Sequence, residues 1–87
     1  MATKPPLTAV LDLGRAVELG LSATEATHIQ QMASGWTQRQ IAAAEWMACN
    51  SINQRTWRLR RRLDLRTSEH LIAWAYENRV LEVKPRG

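Results

Sequence analysis

The chain has very little of several things, and each shortage excludes a class of protein. It has one cysteine, Cys49, in 87 residues. A single thiol rules out an internal disulfide framework. With only His28 and His70 to help it, no spacing suggests a structural zinc site. No apolar run nears the roughly 18 residues that a membrane-spanning helix needs, and no secretory leader pattern is present. The expectation is a soluble, intracellular protein without membrane contact. Catalytic inventory is also thin. There is no Gly-rich phosphate loop and no paired-carboxylate signature. No serine, threonine or cysteine has a histidine partner in motif context. No enzyme activity and no cofactor are expected, and Cys49 reads as a small, inert residue. Finally, acid is scarce where base is dense: from Arg55 to Arg66 there are six arginines and one acid, Asp64.

What is present fits one small domain. A chain of this length buries roughly 60–65% of its unfolded surface, so each apolar position matters. The net charge is +4 and the pI about 10.2. That balance suits a polyanionic partner, and the clustering of the charge strengthens the inference.

Along the chain, Pro5-Pro6 precedes an apolar pattern at Leu7, Val10, Leu11, Leu13, Val17 and Leu19. Spacings of three and four predict an amphipathic helix within residues 1–20, weakened at Gly14 and stopped at Gly20. It should cover the core, extend a dimer contact or dock another protein. Ser22 with Glu25 forms a capping box, with Leu21 as its staple, and opens a helix that ends near Gly35. Thr37 with Gln40 repeats the device and opens a second helix whose inward residues are Ile41 and Ala42. A corner at Trp46–Cys49 leads into a third helix, about Asn50–Leu63. There Ile52, Thr56, Leu59 and Leu63 share one face. Asn50, Gln54, Trp57, Arg58 and Arg61 share the opposite face, with Arg55 and Arg62 beside it. Thr67 or Ser68 caps a last helix carrying Leu71, Ile72, Trp74, Ala75 and Leu81, apolar on more than one side. Residues 84–87 form a basic tail.

The charged face of the third helix carries the functional signal. A solvated face mixes signs and avoids tryptophan, whereas this one is all positive from Arg55 to Arg62 and includes Trp57. Amides read adenine, guanidinium groups read guanine, and arginine also clamps phosphates. A lone histidine on an apolar stripe, such as His28, is more often a neutral core-edge residue than a ligand, and Trp36 and Trp74 read as core or interface.

From Leu21 to Leu81 the chain resembles, without a gap, the LuxR/GerE-type DNA-binding domain. Leu21-Ser22 and Glu25 match that family's opening Leu-Thr-x-x-Glu. Ile29, Met32, Ala33 and Gly35 match its scaffold helix and stop. Thr37 to Ala42 stands where the family has Ser-Asn-Lys-Glu-Ile-Ala, and Met47 matches its corner aliphatic. Ser51-Ile52 falls at the family's Thr-Val. Leu59, Leu63, Leu65, Arg66 and Thr67 match its Ile…Lys-Leu-x-Val…Arg-Thr ending. The departures are Glu45 at a usually buried leucine, Ala48 at a corner serine, Asn53 at a lysine and Arg55 at a histidine.

The resemblance implies an all-α, four-helix helix-turn-helix domain over residues 21–83 with an additional N-terminal helix. It implies a stand-alone, cytoplasmic, bacterial or phage-encoded regulator without a sensor or receiver domain. Base contacts would fall to Asn53, Gln54 and Trp57, with Arg58 added by helix geometry. Phosphates would be met by Thr37, Gln38, Arg39, Ser51, Arg55 and Arg61. The family's dimer contact corresponds to Leu71, Trp74, Ala75, Asn78 and Leu81. The expected function is sequence-specific binding of double-stranded DNA by a homodimer for transcriptional control. Two alternatives stand beside it. One is a small antagonist that keeps the fold and binds RNA polymerase or another regulator. The other is a phage or plasmid accessory DNA-binding protein.

Overall fold

The computed structural model describes residues 5–84. The order is β1 (Ala9–Leu11), α1 (Leu13–Glu18), α2 (Ala23–Ala33), α3 (Gln38–Ala44), α4 (Cys49–Arg62), α5 (Ser68–Glu77) and β2 (Leu81–Val83). The all-α expectation is corrected: the described residues are mostly helical, with five helices and a two-stranded antiparallel sheet among them. Of the expected basic tail, residues 85–87 lie outside the described residues.

The N-terminal segment departs most from its sequence pattern, and Asp12 is the reason. Its carboxylate accepts a hydrogen bond from Arg15 N at 2.9 Å, which fixes Asp12 as the cap of α1. The helix therefore starts at Leu13 and not at Leu7. Ahead of the cap, burial alternates as in a strand: Ala9 is buried, Val10 exposed and Leu11 half-buried. Ala9 pairs with Val83 and Leu11 with Leu81. The other edge of β1 is tied to α2. Ser34 Oγ accepts from Thr8 N and Ala9 N, and Gln30 Nε2 donates to Ala9 O.

Both capping boxes form. Ser22 and Glu25 exchange bonds of 2.9 and 3.1 Å, and Thr37 and Gln40 bonds of 2.8 and 3.1 Å. The helix ends share a device as well. After α1 to α5 the chain turns through a left-handed residue: Gly20, Gly35, Trp46, Asp64 and Arg79 in turn. Past each one the next amide donates back over the helix end, as Met47 N does to Ala42 O at 2.9 Å and Val80 N to Ala75 O at 2.8 Å. Two of these positions are glycine. The other three accept backbone strain of about 1 kcal/mol each.

The core has two parts. The larger lies under α1, α2, α5 and the sheet, and includes Ile29, Leu59, Leu71, Ala75, Val80 and Leu81. The smaller holds the corner between α3 and α4: Ile41, Ala42 and Ile52, with Met32, Trp36 and Met47 around them. Met32 touches both. No helix among the described residues is long and apolar enough to cross a membrane.

Candidate nucleic-acid interface

Helix α4 places its side chains as the periodicity predicts. Ile52, Thr56 and Leu59 are buried, and Asn50, Ser51, Asn53, Gln54, Trp57, Arg58 and Arg61 are exposed. Fourteen residues give a helix about 21 Å long. Its N-cap, Ala48, makes no side-chain hydrogen bond. The first amides of α4 thus lack the serine cap of the resembled family. Trp57 is half exposed, and the Arg61 guanidinium lies over its ring, 4.8 Å from the centroid. This contact holds the indole flat against a cation and keeps both at the surface.

Not every arginine of the run is free. Arg55 Nη1 meets Glu45 Oε2 at 2.5 Å, and Arg55 Nη2 lies 2.9 Å from Met47 Sδ. Arg62 Nη2 donates to Glu25 Oε1 at 2.9 Å, joining α4 to the start of α2. Arg60 Nη1 donates to the Arg66 carbonyl. The pairing explains how the fold holds a carboxylate at the corner: the Glu45 charge is partly buried but compensated. Arg55, an expected phosphate contact, is thus paired with Glu45 in the fold. The sequence held a signal for this, since a charge at an apolar packing position requires a partner. At Glu25, burial pushes the carboxyl up. The Arg62 hydrogen bond and charge, with bonds from Ser22, outweigh it and hold the carboxyl below its ordinary value.

A groove of about 370 Å³ runs beside the exposed face of α4, lined by Gln38, Asn53, Gln54, Thr56, Trp57, Arg60 and Ser68. Three expected base contacts, Asn53, Gln54 and Trp57, thus meet one expected phosphate contact, Gln38, at the start of α3. Thr56 and Arg60 of α4 complete the lining with Ser68, which only the packing of the start of α5 beside α4 brings there. Two groove residues carry buried polar atoms without a hydrogen-bond partner, Gln38 Oε1 and Arg60 Nε. Of the other expected contacts, Arg58, Arg61, Arg39, Thr37 and Ser51 are exposed but do not line the groove. The Thr37 hydroxyl already caps α3.

His28 lies behind this face. It is buried, with Nε2 3.2 Å from Thr56 Oγ1, which in turn donates to the Ile52 carbonyl. That arrangement suits an Nε2–H tautomer donating to the hydroxyl. Burial, then the nearby Arg55 charge, push the imidazole pKa down to about 4, against an opposing pull from Glu45. The residue is a neutral tie between α2 and α4, as a lone histidine on an apolar stripe predicts.

The expected dimer contact fares differently. Leu71, Ala75 and Leu81 are buried in the chain's own core. Leu81 is not on the last helix at all, because Arg79 turns the chain and Leu81 opens β2. Of the five expected residues only Trp74 and Asn78 keep surface. The Asn78 amide donates to the Trp74 carbonyl of its own helix.

No protein-family model, curated protein or solved structure matches the chain.

Proposed function

We propose that the chain binds double-stranded DNA with α4 in the major groove and acts as a transcriptional regulator. The observation that carries this reading is the outer face of α4. Asn53, Gln54, Trp57, Arg58 and Arg61 lie exposed together, and Glu25 and Glu45, brought to α4 by the fold, are each paired with another arginine, Arg62 and Arg55. The face therefore offers base-reading amides and uncompensated positive charge side by side. The major groove, about 12 Å wide, admits one helix of this kind. The exposed Arg39 and the start of α3 flank it as phosphate contacts. Pairing of two copies through Trp74 and Asn78 would place two such helices on half-sites about one helical turn apart.

The test is affinity for a labelled mixed-sequence duplex across a salt series. About six phosphate contacts give a log–log slope near −5. Arg58→Ala should lower affinity about tenfold or more with no change in melting temperature, since Arg58 is exposed. Unchanged affinity in that variant would remove α4 from recognition.

One observation favours a second reading, a protein-docking antagonist. Trp46 at the corner is 95% exposed and holds a left-handed backbone, φ 56°. A bare indole is a common anchor of protein interfaces. Salt-insensitive binding to a partner protein, lost in Trp46→Ala, would select this reading.

A further inference from the structure

The groove beside α4 differs from a general phosphate-binding surface in which polar groups remain free. Among its lining residues the only guanidinium belongs to Arg60, and that group already donates to the Arg66 carbonyl. Arg55 and Arg62 are held by Glu45 and Glu25, and Arg61 lies on the Trp57 ring. The uncommitted polar groups in the groove are mostly amides: Asn53, Gln54 and Gln38, the last with a carbonyl oxygen that lacks any donor, beside the Ser68 hydroxyl and the buried Nε of Arg60.

That chemistry discriminates between bases. Adenine shows the major groove an acceptor, N7, beside a donor, the N6 amino group. An amide shows the matching donor and acceptor at the same spacing. Guanine shows two adjacent acceptors, N7 and O6, which need two donors, and an amide presents only one side of that pattern well. The thymine opposite adenine adds a methyl group at the groove floor. The half-exposed indole of Trp57, beside the two amides, is the apolar surface for it.

Resting on the DNA-binding reading, we propose that this groove selects A·T pairs, with adenine held by the Asn53 and Gln54 amides and a thymine methyl packed on Trp57. Arg58 lies outside the groove lining and can read a flanking guanine or a phosphate, so the A·T requirement belongs to the part of the half-site facing Asn53 to Trp57.

The experiment is selection of bound duplexes from a random pool at low and moderate salt, for the wild-type chain and for Gln54→Ala and Asn53→Ala. Both side chains are exposed, and equal melting temperatures establish that the variants fold. The expected result is a motif with adenines that becomes degenerate at one position in each variant. Replacing those adenines by 7-deazaadenine, or the paired thymine by uracil, should then weaken wild-type binding, the former about tenfold. A recovered motif whose core is G·C would overturn the proposal while leaving DNA recognition by α4 intact. Salt-sensitive retention with no motif would overturn it too, showing contact with phosphates alone. No retention at low salt would remove the DNA-binding reading on which it rests.

Discussion

The two parts of the core are built differently. Under α1, α2, α5 and the sheet, ten side chains are buried together, and they come from six of the seven elements or their flanks. At the corner of α3 and α4 the buried apolar cluster is just Ile41, Ala42 and Ile52. The corner makes up the difference with polar ties: Glu45–Arg55 across the turn and His28–Thr56 to α2. Apolar burial is non-directional and insensitive to pH, whereas these ties depend on charge and protonation state. The region carrying the proposed DNA-reading face is therefore the part of the molecule that solution conditions can loosen first.

Cavity-forming substitutions give the largest test of that contrast. Ile29→Ala, in the larger cluster, should cost about 4 kcal/mol. Ile52→Ala, beside the pliable Met32 and Met47, should cost about 2–3 kcal/mol. Both residues are fully buried, so denaturant unfolding of the two variants compares the clusters directly. Equal losses would mean the corner is as tightly packed as the rest.

Acid should act next, and through His28. Its pKa falls from 6.5 in the unfolded chain to about 4 in the fold. Above pH 6.5 both states are neutral there and nothing changes. From 6.5 down to 4 the unfolded chain takes up a proton that the fold refuses, so stability falls with falling pH. Below 4 the loss levels off. The full shift corresponds to at most about 3 kcal/mol. In His28→Gln the loss between pH 6.5 and 4.5 should largely vanish. An unchanged pH profile would show that His28 does not couple to folding. The Glu25 contribution belongs at lower pH, because its depressed carboxyl stabilises the fold above its ordinary pKa and that gain is lost as pH falls through the folded value.

Breaking the ion pair is a smaller perturbation. Glu45→Ala leaves Arg55 uncompensated and should cost about 1–2 kcal/mol, less than for a fully buried pair because both side chains keep 19% of their exposure. The double change Glu45→Leu with Arg55→Leu should recover most of the loss. Thermal melts of the single and double variants settle it: a double variant no better than the single one would refute the compensation.

The smallest expected effect has the opposite sign. Trp46 buries almost nothing and holds a left-handed backbone. Asparagine tolerates that conformation better, so Trp46→Asn should gain about 0.5–1 kcal/mol, a rise of a few degrees in melting temperature. A drop would show that the indole makes a stabilising contact.

Much of the scaffold was legible because its signals are local. The two capping boxes each lie within four residues, Gly20 and Gly35 mark stops, and the burial of α4 follows its 3.6-residue period. What was not legible depends on distant partners. β1 is three residues long and exists because Leu81–Val83 lies beside it and α2 closes its other edge. The left-handed ends at Trp46, Asp64 and Arg79 carry no glycine to announce them. Arg62 finds Glu25 across 37 positions of sequence, so its neutralisation cannot be read from the run of arginines. For the same reason the apolar positions of α5 read as surplus in sequence, although Leu71 and Ala75 are needed for the core. In sequence the site is a helix face. The groove made by packing Gln38 and Ser68 against that face emerges only in three dimensions.

The most direct test of the central claim is to titrate the isotopically labelled chain with a mixed-sequence duplex and follow its amide and side-chain NMR signals. The account predicts shifts concentrated at Gln38, Arg39, Asn53, Gln54, Trp57, Arg58 and Arg61, with little change in β1, β2 or α1. Shifts centred on Trp46 or on the sheet, or none at low salt, would contradict it.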